Sequence, residues 1–336
     1  MLVGPDHVNT AAGRIGGVVR STPILVVPAT DLVDDLDPDV TVVLKLELVQ
    51  HSGSFKARGA GHAVISADIG PSGVVAASGG NHGAAVAWAA RRLGHPATIF
   101  VPTITAPAKR ARLDSYGATV VEAGANYAEA HAACLDHLAG WSDGPPPVEI
   151  AAYDDPVVVA GAGTLARELS RQHPGLDAVL VACGGGGLAA GTAAWFGTTA
   201  ELVACETTGT AAYAAARTAG QPVEVPVSGI AADALGASRL GALPFAQLQA
   251  VDARSAVVTD DGIRTAMAAL WDRFRLVVEP AAAAPLAALL SGQYAPRPGS
   301  TVAVVLCGAN TARLPVPPPV AAVNRSRPGG ATEPPG

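Results

Sequence analysis

Short apolar runs alternate along the chain with Ala-rich segments whose polar residues recur at helical spacing. The runs VTVVLKLEL from Val40, GVVAAS from Gly73, ATIFVP from Ala97, ATVVEA from Ala118, DAVLVAC from Asp177, AELVACE from Ala200 and STVAVVLC from Ser300 are β-branched and largely apolar. Runs of that kind suit strands covered on both faces. Between them the spacing predicts helices over 55–66, 82–93, 107–116, 127–138, 157–172 and 189–196. Pro107 near one predicted start, and Gly94 and Gly117 just past two predicted ends, agree with the usual asymmetry of helix termini. Strand, helix and strand in repetition predict an α/β fold built on parallel sheet. No internal repeat is visible.

Composition narrows the function classes. The 336 residues suggest about two domain-sized units. Hydrophobic residues make up 49% and charged residues 15%, so there is ample apolar surface to bury and disorder is excluded over most of the length. A net charge of −6, no basic stripe and 4% aromatics argue against a nucleic-acid partner. Mean hydropathy is +0.33, yet the longest apolar stretch, AAAAPLAALL at 281–290, is far short of the about 20 residues a spanning helix needs and contains Pro285. No membrane association is expected. MLVGPDHVNT carries no basic start and no long apolar run, so no signal peptide is visible and a cytoplasmic protein is expected. Cys134, Cys183, Cys205 and Cys307 are far apart with no CxxC, which predicts reduced, buried thiols rather than disulfides or zinc. DGPPPVEI at 143–150 reads as a loop and a domain crossing. From about Pro315 the chain is Pro/Gly-rich without periodicity and is expected to be a flexible tail.

Four segments could carry chemistry. HSGSFKARGA at 51–60 follows a strand and puts Lys56 in the first turn of a helix, where the macrodipole favours an acid. A lysine there, among small residues that leave room for a ligand, is able to form a Schiff base, although most lysines are simply solvated. ASGGNHGAAVAWAA at 77–90 turns on a Gly pair after Ser78, with Asn81 as N-cap candidate and His82 opening a helix. The N–H groups of Gly79, Gly80, Asn81 and His82 would face the mouth of the sheet and suit a carboxylate. CGGGGLAAG at 183–191 follows a strand, and its backbone would form an anion nest for a phosphate. The same segment also fits a dinucleotide fingerprint, Gly184-x-Gly186-x-x-Ala189 with Glu206 ending the next strand, and by itself it supports either ligand. VLCGANT at 305–311 places Cys307 at a strand end, where a buried cysteine is the ordinary reading.

Together and in order, KLELVQHSGSFKARGA, SGGNHG, the GGGG loop, VVEPAAAAPLAAL and CGANT resemble the fold-type II pyridoxal phosphate (PLP) enzymes, in particular the serine/threonine dehydratase and serine racemase group. The resemblance runs from about Thr10 to Pro315 and accounts for all four segments, whereas the dinucleotide fingerprint accounts for one. It implies two open, twisted, mainly parallel sheets wrapped by helices. A large cofactor-binding domain would comprise 1–72 and 151–315, a small domain 73–150 and the tail 316–336, with the cofactor in the cleft. It implies that Lys56 holds PLP covalently and removes the substrate α-proton. Phe55 would pack beside the ring and Asn81 would bond its hydroxyl. The N–H groups of Gly184, Gly185, Gly186, Gly187 and Leu188 would hold the phosphate. Cys307 would face the pyridine nitrogen, and Glu279 would line the ring side. Ser78, Asn81 and His82 would hold the substrate carboxylate. A small amino-acid substrate, loss of water and ammonia from L-threonine or L-serine to a 2-oxo acid, and a homodimer follow by the same implication.

The sequence departs from the group at three places. Racemases carry a second serine where this chain has Gly79, so a dehydratase with little racemase activity is expected. Metal-binding members pair a glutamate with an aspartate six residues later; here Glu206 is followed by Ala212, and no required metal is expected. Only 25 residues follow Thr311, too few for the regulatory domain of biosynthetic threonine dehydratases, so no isoleucine feedback through one is expected. Alternatives at this stage are β-replacement by a nucleophile other than water, elimination from another β-substituted amino acid such as 3-hydroxyaspartate, and a non-catalytic cofactor-holding subunit.

Overall fold

The computed structural model describes residues 1–32 and 36–311; the expected tail at 316–336 lies outside them. The chain begins with α1 (Pro5–Ile15), β1 (Ile24–Pro28), β2 (Thr41–Lys45), α2 (Lys56–Ser66), β3 (Val74–Ala77) and α3 (Asn81–Leu93). It goes on through β4 (Ala97–Val101), α4 (Pro107–Ser115), β5 (Thr119–Glu122), α5 (Tyr127–Ala139), β6 (Val148–Glu149), α6 (Pro156–Gln172), β7 (Ala178–Ala182) and α7 (Gly187–Phe196). The last described part holds β8 (Glu201–Thr207), α8 (Ala212–Ala219), α9 (Ala232–Leu235), α10 (Ala242–Ala250), β9 (Arg254–Val258), α11 (Asp260–Phe274), α12 (Pro280–Leu290) and β10 (Thr301–Val305).

These strands form two sheets. One has six strands in the order β1-β2-β10-β7-β8-β9, parallel except for the β1–β2 pair at its edge. The other has four parallel strands in the order β5-β4-β3-β6, all drawn from residues 74–149. Every residue of β3 and β7 is buried, as strands covered on both faces require. Small residues bring the helices close. A Cβ on Gly191 in α7 would lie 2.5 Å from the backbone nitrogen of Gly163 in α6, so only glycine permits that crossing. The AAAAPLAALL stretch is the buried face of α12, packed against the six-stranded sheet.

The seven expected strands are all present, six of them shorter than the run that predicted them and β8 shifted by one residue to Glu201–Thr207. The run from Val40 stops at Lys45, and Glu47–Val49 turns into a 3₁₀ helix. That turn puts the fully buried Glu47 carboxylate against Arg58: Nε donates to Oε1 at 2.5 Å and Nη2 to Oε2 at 3.0 Å. Arg58 Nη2 also reaches Glu168 at 3.1 Å, and Lys45 Nζ donates to the same carboxylate at 2.6 Å. A buried charge needs such partners, and the network anchors the first turn of α2 on β2 and α6. The 143–150 loop contains the two-residue β6, a correction to its reading as loop throughout. The expected strand ending at Cys307 stops at Val305.

Candidate active site

The four chemistry-bearing segments leave the C-terminal ends of β2, β3, β7 and β10, the side of a parallel sheet where ligands bind. HSGSFK and CGANT are stitched together by backbone: Phe55 N–H donates to the Cys307 carbonyl and Ala309 N–H to the Gly53 carbonyl, both at 2.9 Å. Ser52 holds a left-handed conformation, φ +54°, which is costly for a residue other than glycine and needs enforcement by its surroundings. Lys56 is the first residue of α2. Its Nζ donates to the Ala152 carbonyl at 2.6 Å and lies 5.3 Å from the Phe55 ring centre and 6.0 Å from that of Tyr153. Burial lowers its pKa to about 8. Burial also pushes the Cys307 thiol well up, so at neutral pH it is uncharged.

Ser78 follows β3, and its Oγ accepts the Gly80 N–H at 3.1 Å. This corrects the expectation that all four N–H groups from Gly79 to His82 face a ligand. The N-cap of α3 is Gly80 rather than Asn81, because the Asn81 side chain is engaged elsewhere. Asn81 Nδ2 donates to Glu279 Oε1 at 2.7 Å, and its Oδ1 accepts from Asn310 Nδ2 at 2.6 Å. Arg112 donates to Asn310 Oδ1 and, at 2.9 Å, to the Ser52 carbonyl. Arg112, Asn310, Asn81 and Glu279 therefore form one chain of side chains between the two sheets. Burial raises the Glu279 carboxyl to about 7, against the opposing pull of Asn81, Asn310 and the Arg112 and Lys109 cations. His82 is buried, and its Nε2 meets the Ile150 carbonyl at 2.8 Å. A carbonyl only accepts, so Nε2 carries the proton. Burial and the nearby Lys56 drive the ring pKa to about 3. The imidazole is neutral, so it offers a carboxylate no positive charge.

After β7 the chain passes through Cys183 into the four glycines. Gly186, at φ +93°, is the N-cap of α7. The first intrahelical bond runs from Ala190 N–H to the Gly186 carbonyl, so the N–H groups of Gly187, Leu188 and Ala189 precede it at the positive end of the helix. Side chains here are barred. A Cβ on Gly185 would lie 2.4 Å from the Tyr153 ring and one on Gly186 2.6 Å from Pro244. Tyr153 thus covers the loop on one side and Lys56 on the other. Only its place before a helix could have hinted at it in the sequence. Asn310 and Arg112 were also unassigned there, although Asn310 lies within CGANT.

Two cavities meet at this point. A small one is lined by Phe55, Lys56, His82, Ala152 and Gly187. A cleft of about 440 Å³ shares His82 and Ala152 with it and opens between α5 and the 239–242 segment. Pyridoxal phosphate requires an amine that gives up its proton, an anion cradle and a ring site. Lys56, the side-chain-free loop at α7, and the ground between Phe55 and the Cys307–Gly308 backbone fit those requirements. The buried hydroxyls of Ser52 and Ser54, for which no partner is found among the described residues, mark the same ground. The fingerprint residue Glu206 accepts the N–H groups of Tyr213 at 2.6 Å and Ala214 at 2.8 Å, so it caps α8. Burial raises its carboxyl to about 7. Among the described residues no group of three or more His, Cys, Asp and Glu side chains is placed to hold a metal, and no helix is long and apolar enough to cross a membrane.

Comparison with known proteins agrees with this geometry. The family described as pyridoxal-phosphate dependent enzyme matches residues 15–308. An L-threonine ammonia-lyase of Geobacter sulfurreducens is 35% identical over 274 residues, which cover 80% of this chain and 67% of that protein. A phenylserine dehydratase of Ralstonia pickettii is 35% identical over 303 residues, 89% of this chain and 90% of that one. Among solved structures, maize serine racemase superposes with a TM-score of 0.84 at 28% identity, covering 93% of this chain and 94% of the other.

Proposed function

The chain belongs to the pyridoxal-phosphate dependent enzyme family, and from that premise we propose how its residues carry out a dehydratase reaction on L-threonine or L-serine. It is a PLP-dependent ammonia-lyase of fold type II. Threonine, phenylserine and serine, named in its relatives, are all β-hydroxy-α-amino acids. The observation that carries the residue assignment is Lys56. Its amine is desolvated until it loses its proton near pH 8, and it stands between an aromatic ring and a side-chain-free helix N-terminus.

Lys56 would hold the cofactor, be displaced by the substrate amine and then take the α-proton at Nζ. Bound PLP supplies the electron sink that makes that proton acidic. Gly184 to Leu188 would hold its phosphate through N–H groups, Phe55 would flank its ring and Asn81 would donate to its hydroxyl. Glu279 orients that Asn81 amide from behind. The neutral Cys307 thiol would face the pyridine nitrogen and, unlike a carboxylic acid, would give it no proton. The first-turn N–H groups of α3, with Ser78, would take the substrate carboxylate, and the neutral His82 would line that end of the site. The β-hydroxyl would leave as water with the proton that Lys56 Nζ took from the α-carbon, and the freed Lys56 amine would then displace the product amine. The released enamine is hydrolysed in solution, giving 2-oxobutanoate from threonine or pyruvate from serine, plus ammonia.

The cofactor would lie between a large domain of 1–72 and 151–315 and a small domain of 73–150. The two sheets, divided at those boundaries, support this. Four buried free cysteines support a reducing, cytoplasmic setting, and a homodimer is the proposed assembly. Formation of 2-oxo acid from L-threonine and L-serine tests the reading. It should be abolished by Lys56→Ala while the fold persists by circular dichroism. A yellow, cofactor-loaded protein that forms no 2-oxo acid would overturn it.

A further inference from the structure

The cleft that leads to Lys56 is larger and more aromatic than a methyl group needs. One wall is a single face of α5: Tyr127, His131 and Leu135 recur every four residues and line the cavity. The Tyr127 and His131 rings are stacked, with centroids 5.9 Å apart and planes 8° from parallel. Tyr127 and Leu135 are 49% and 43% exposed, so this face stands half open to the cleft. Pro222, Leu240 and Gly241 also line it. Leu240 is buried against the glycine loop, where a Cβ on Gly186 would approach it to 2.8 Å. The floor is Ala152, whose carbonyl holds Lys56 Nζ, beside Tyr153. Tyr153, whose ring centre lies 6.0 Å from Lys56 Nζ, lines the same cleft as Tyr127.

The cleft is lined by two carboxylates, Glu149 and Asp154, and one arginine. Glu149 Oε1 lies within hydrogen-bond distance of His131 Nε2, at 3.1 Å. The Asp154 carboxylate accepts the Ala242 and Leu243 N–H groups at 3.0 and 2.9 Å, at the start of α10. Arg239 stands exposed at the rim. Two carboxylates beside one arginine make poor ground for a second substrate carboxylate, whereas the stacked rings and two leucines suit a flat apolar group.

We propose that this slot receives an aryl group carried on the β-carbon, so that the preferred substrate class is the β-aryl-β-hydroxy-α-amino acids. The inference rests on the dehydratase reading and adds the identity of the β-substituent. It explains why an exposed aromatic and leucine face adjoins the site, where a methyl would leave it open to water.

The test compares kcat/KM of the holoenzyme for L-threo-3-phenylserine, L-threonine and L-threo-3-hydroxyaspartate, read as 2-oxo acid formed. The expected result is a preference for phenylserine over threonine of at least tenfold. Tyr127→Ser and Leu135→Ser, both exposed positions, should each lower that ratio by about tenfold. Phenylserine turned over no better than threonine, both substrates losing equally in the variants, or hydroxyaspartate preferred over phenylserine, would each overturn the proposal. If no substrate gives a 2-oxo acid, the dehydratase reading fails, and the slot is then judged by binding alone. L-Phenylalanine should raise the holoenzyme Tm more than L-alanine, and Tyr127→Ser should remove the difference; equal shifts for the two ligands reject the slot as well.

Discussion

A lysine at the first position of a helix is placed against the macrodipole, and Lys56 is the case in which sequence alone could signal chemistry. Burial dominates its titration. With a pKa of about 8, on the order of a fifth of the amines are neutral at pH 7.4, against roughly a thousandth for a free lysine near 10.5. Cofactor uptake by the apo-protein, followed by absorbance, should therefore accelerate about tenfold per pH unit and level off above about pH 8. A plateau near pH 10 would mean that burial does not control this amine. Gly79 is the second residue whose side chain, or lack of one, decides chemistry. A Cβ there would lie 2.7 Å from Thr105 Oγ1 and 2.8 Å from its Cγ2. The wild type should form no D-serine from L-serine, and G79S alone should remain inactive in racemisation because the new side chain collides with Thr105. D-serine, measured by chiral chromatography, should appear only when G79S is joined to T105A. Gly79 was legible as a departure from a motif. Thr105 was not, because twenty-five residues separate it from the turn and nothing local marks it.

At the scale of elements, apolar runs showed the central strands well. β3, β4, β7, β8 and β10 are covered on both faces, so their runs are nearly unbroken. β9 and the helices α1, α8, α9, α10 and α11 were not predicted, and three further unpredicted elements have physical reasons for silence. β1 lies at the sheet edge with a mixed burial pattern, and β6 has two residues. The helix α12 is Ala-rich and buried, with no polar face to give it a period. Equally silent was the ionic network under α2, because Lys45, Glu47, Arg58 and Glu168 each look like an ordinary surface charge in the sequence. Removing one member of a buried pair strands its partner, at a cost of roughly 3–5 kcal/mol. Arg58→Met should lower unfolding stability by about that amount in urea titrations, since it takes from the fully buried Glu47 its directly bonded cation and leaves it the Thr22 hydroxyl. The double variant Arg58→Met with Glu47→Leu should recover much of the loss, a recovery that a purely steric role for Arg58 does not allow.

At the scale of the whole molecule, the two-sheet division follows from the alternation of strands and helices, but what joins the halves does not. Asn81 and Arg112 come from the segment that builds the four-stranded sheet, Glu279 and Asn310 from the segment that builds the other, and they meet as one chain of hydrogen bonds. Its acidic end makes folding depend on pH. Burial lifts the Glu279 carboxyl from the ordinary 4.5 to about 7, so between those values the folded protein keeps a proton that the unfolded chain has released. Stability then falls as pH rises through that window and is level above it. Shifts of this size correspond to about 1.4 kcal/mol per pH unit, and on the order of 3 kcal/mol across the window. Glu206 acts in the same direction, because burial also lifts it to about 7. His82 acts in the opposite one. Its folded pKa of about 3 means that the unfolded chain binds a proton between 3 and 6.5, and stability is lost as pH falls there. The raw pH curve mixes these contributions, so the Glu279 term is isolated by difference. Glu279→Gln keeps an acceptor for Asn81 but has no proton to lose. In the apo-protein its stability relative to wild type should climb from pH 5 to pH 7 and stay constant beyond. A difference that does not change with pH would place the Glu279 carboxylate in a more polar setting than its buried position between the two sheets implies.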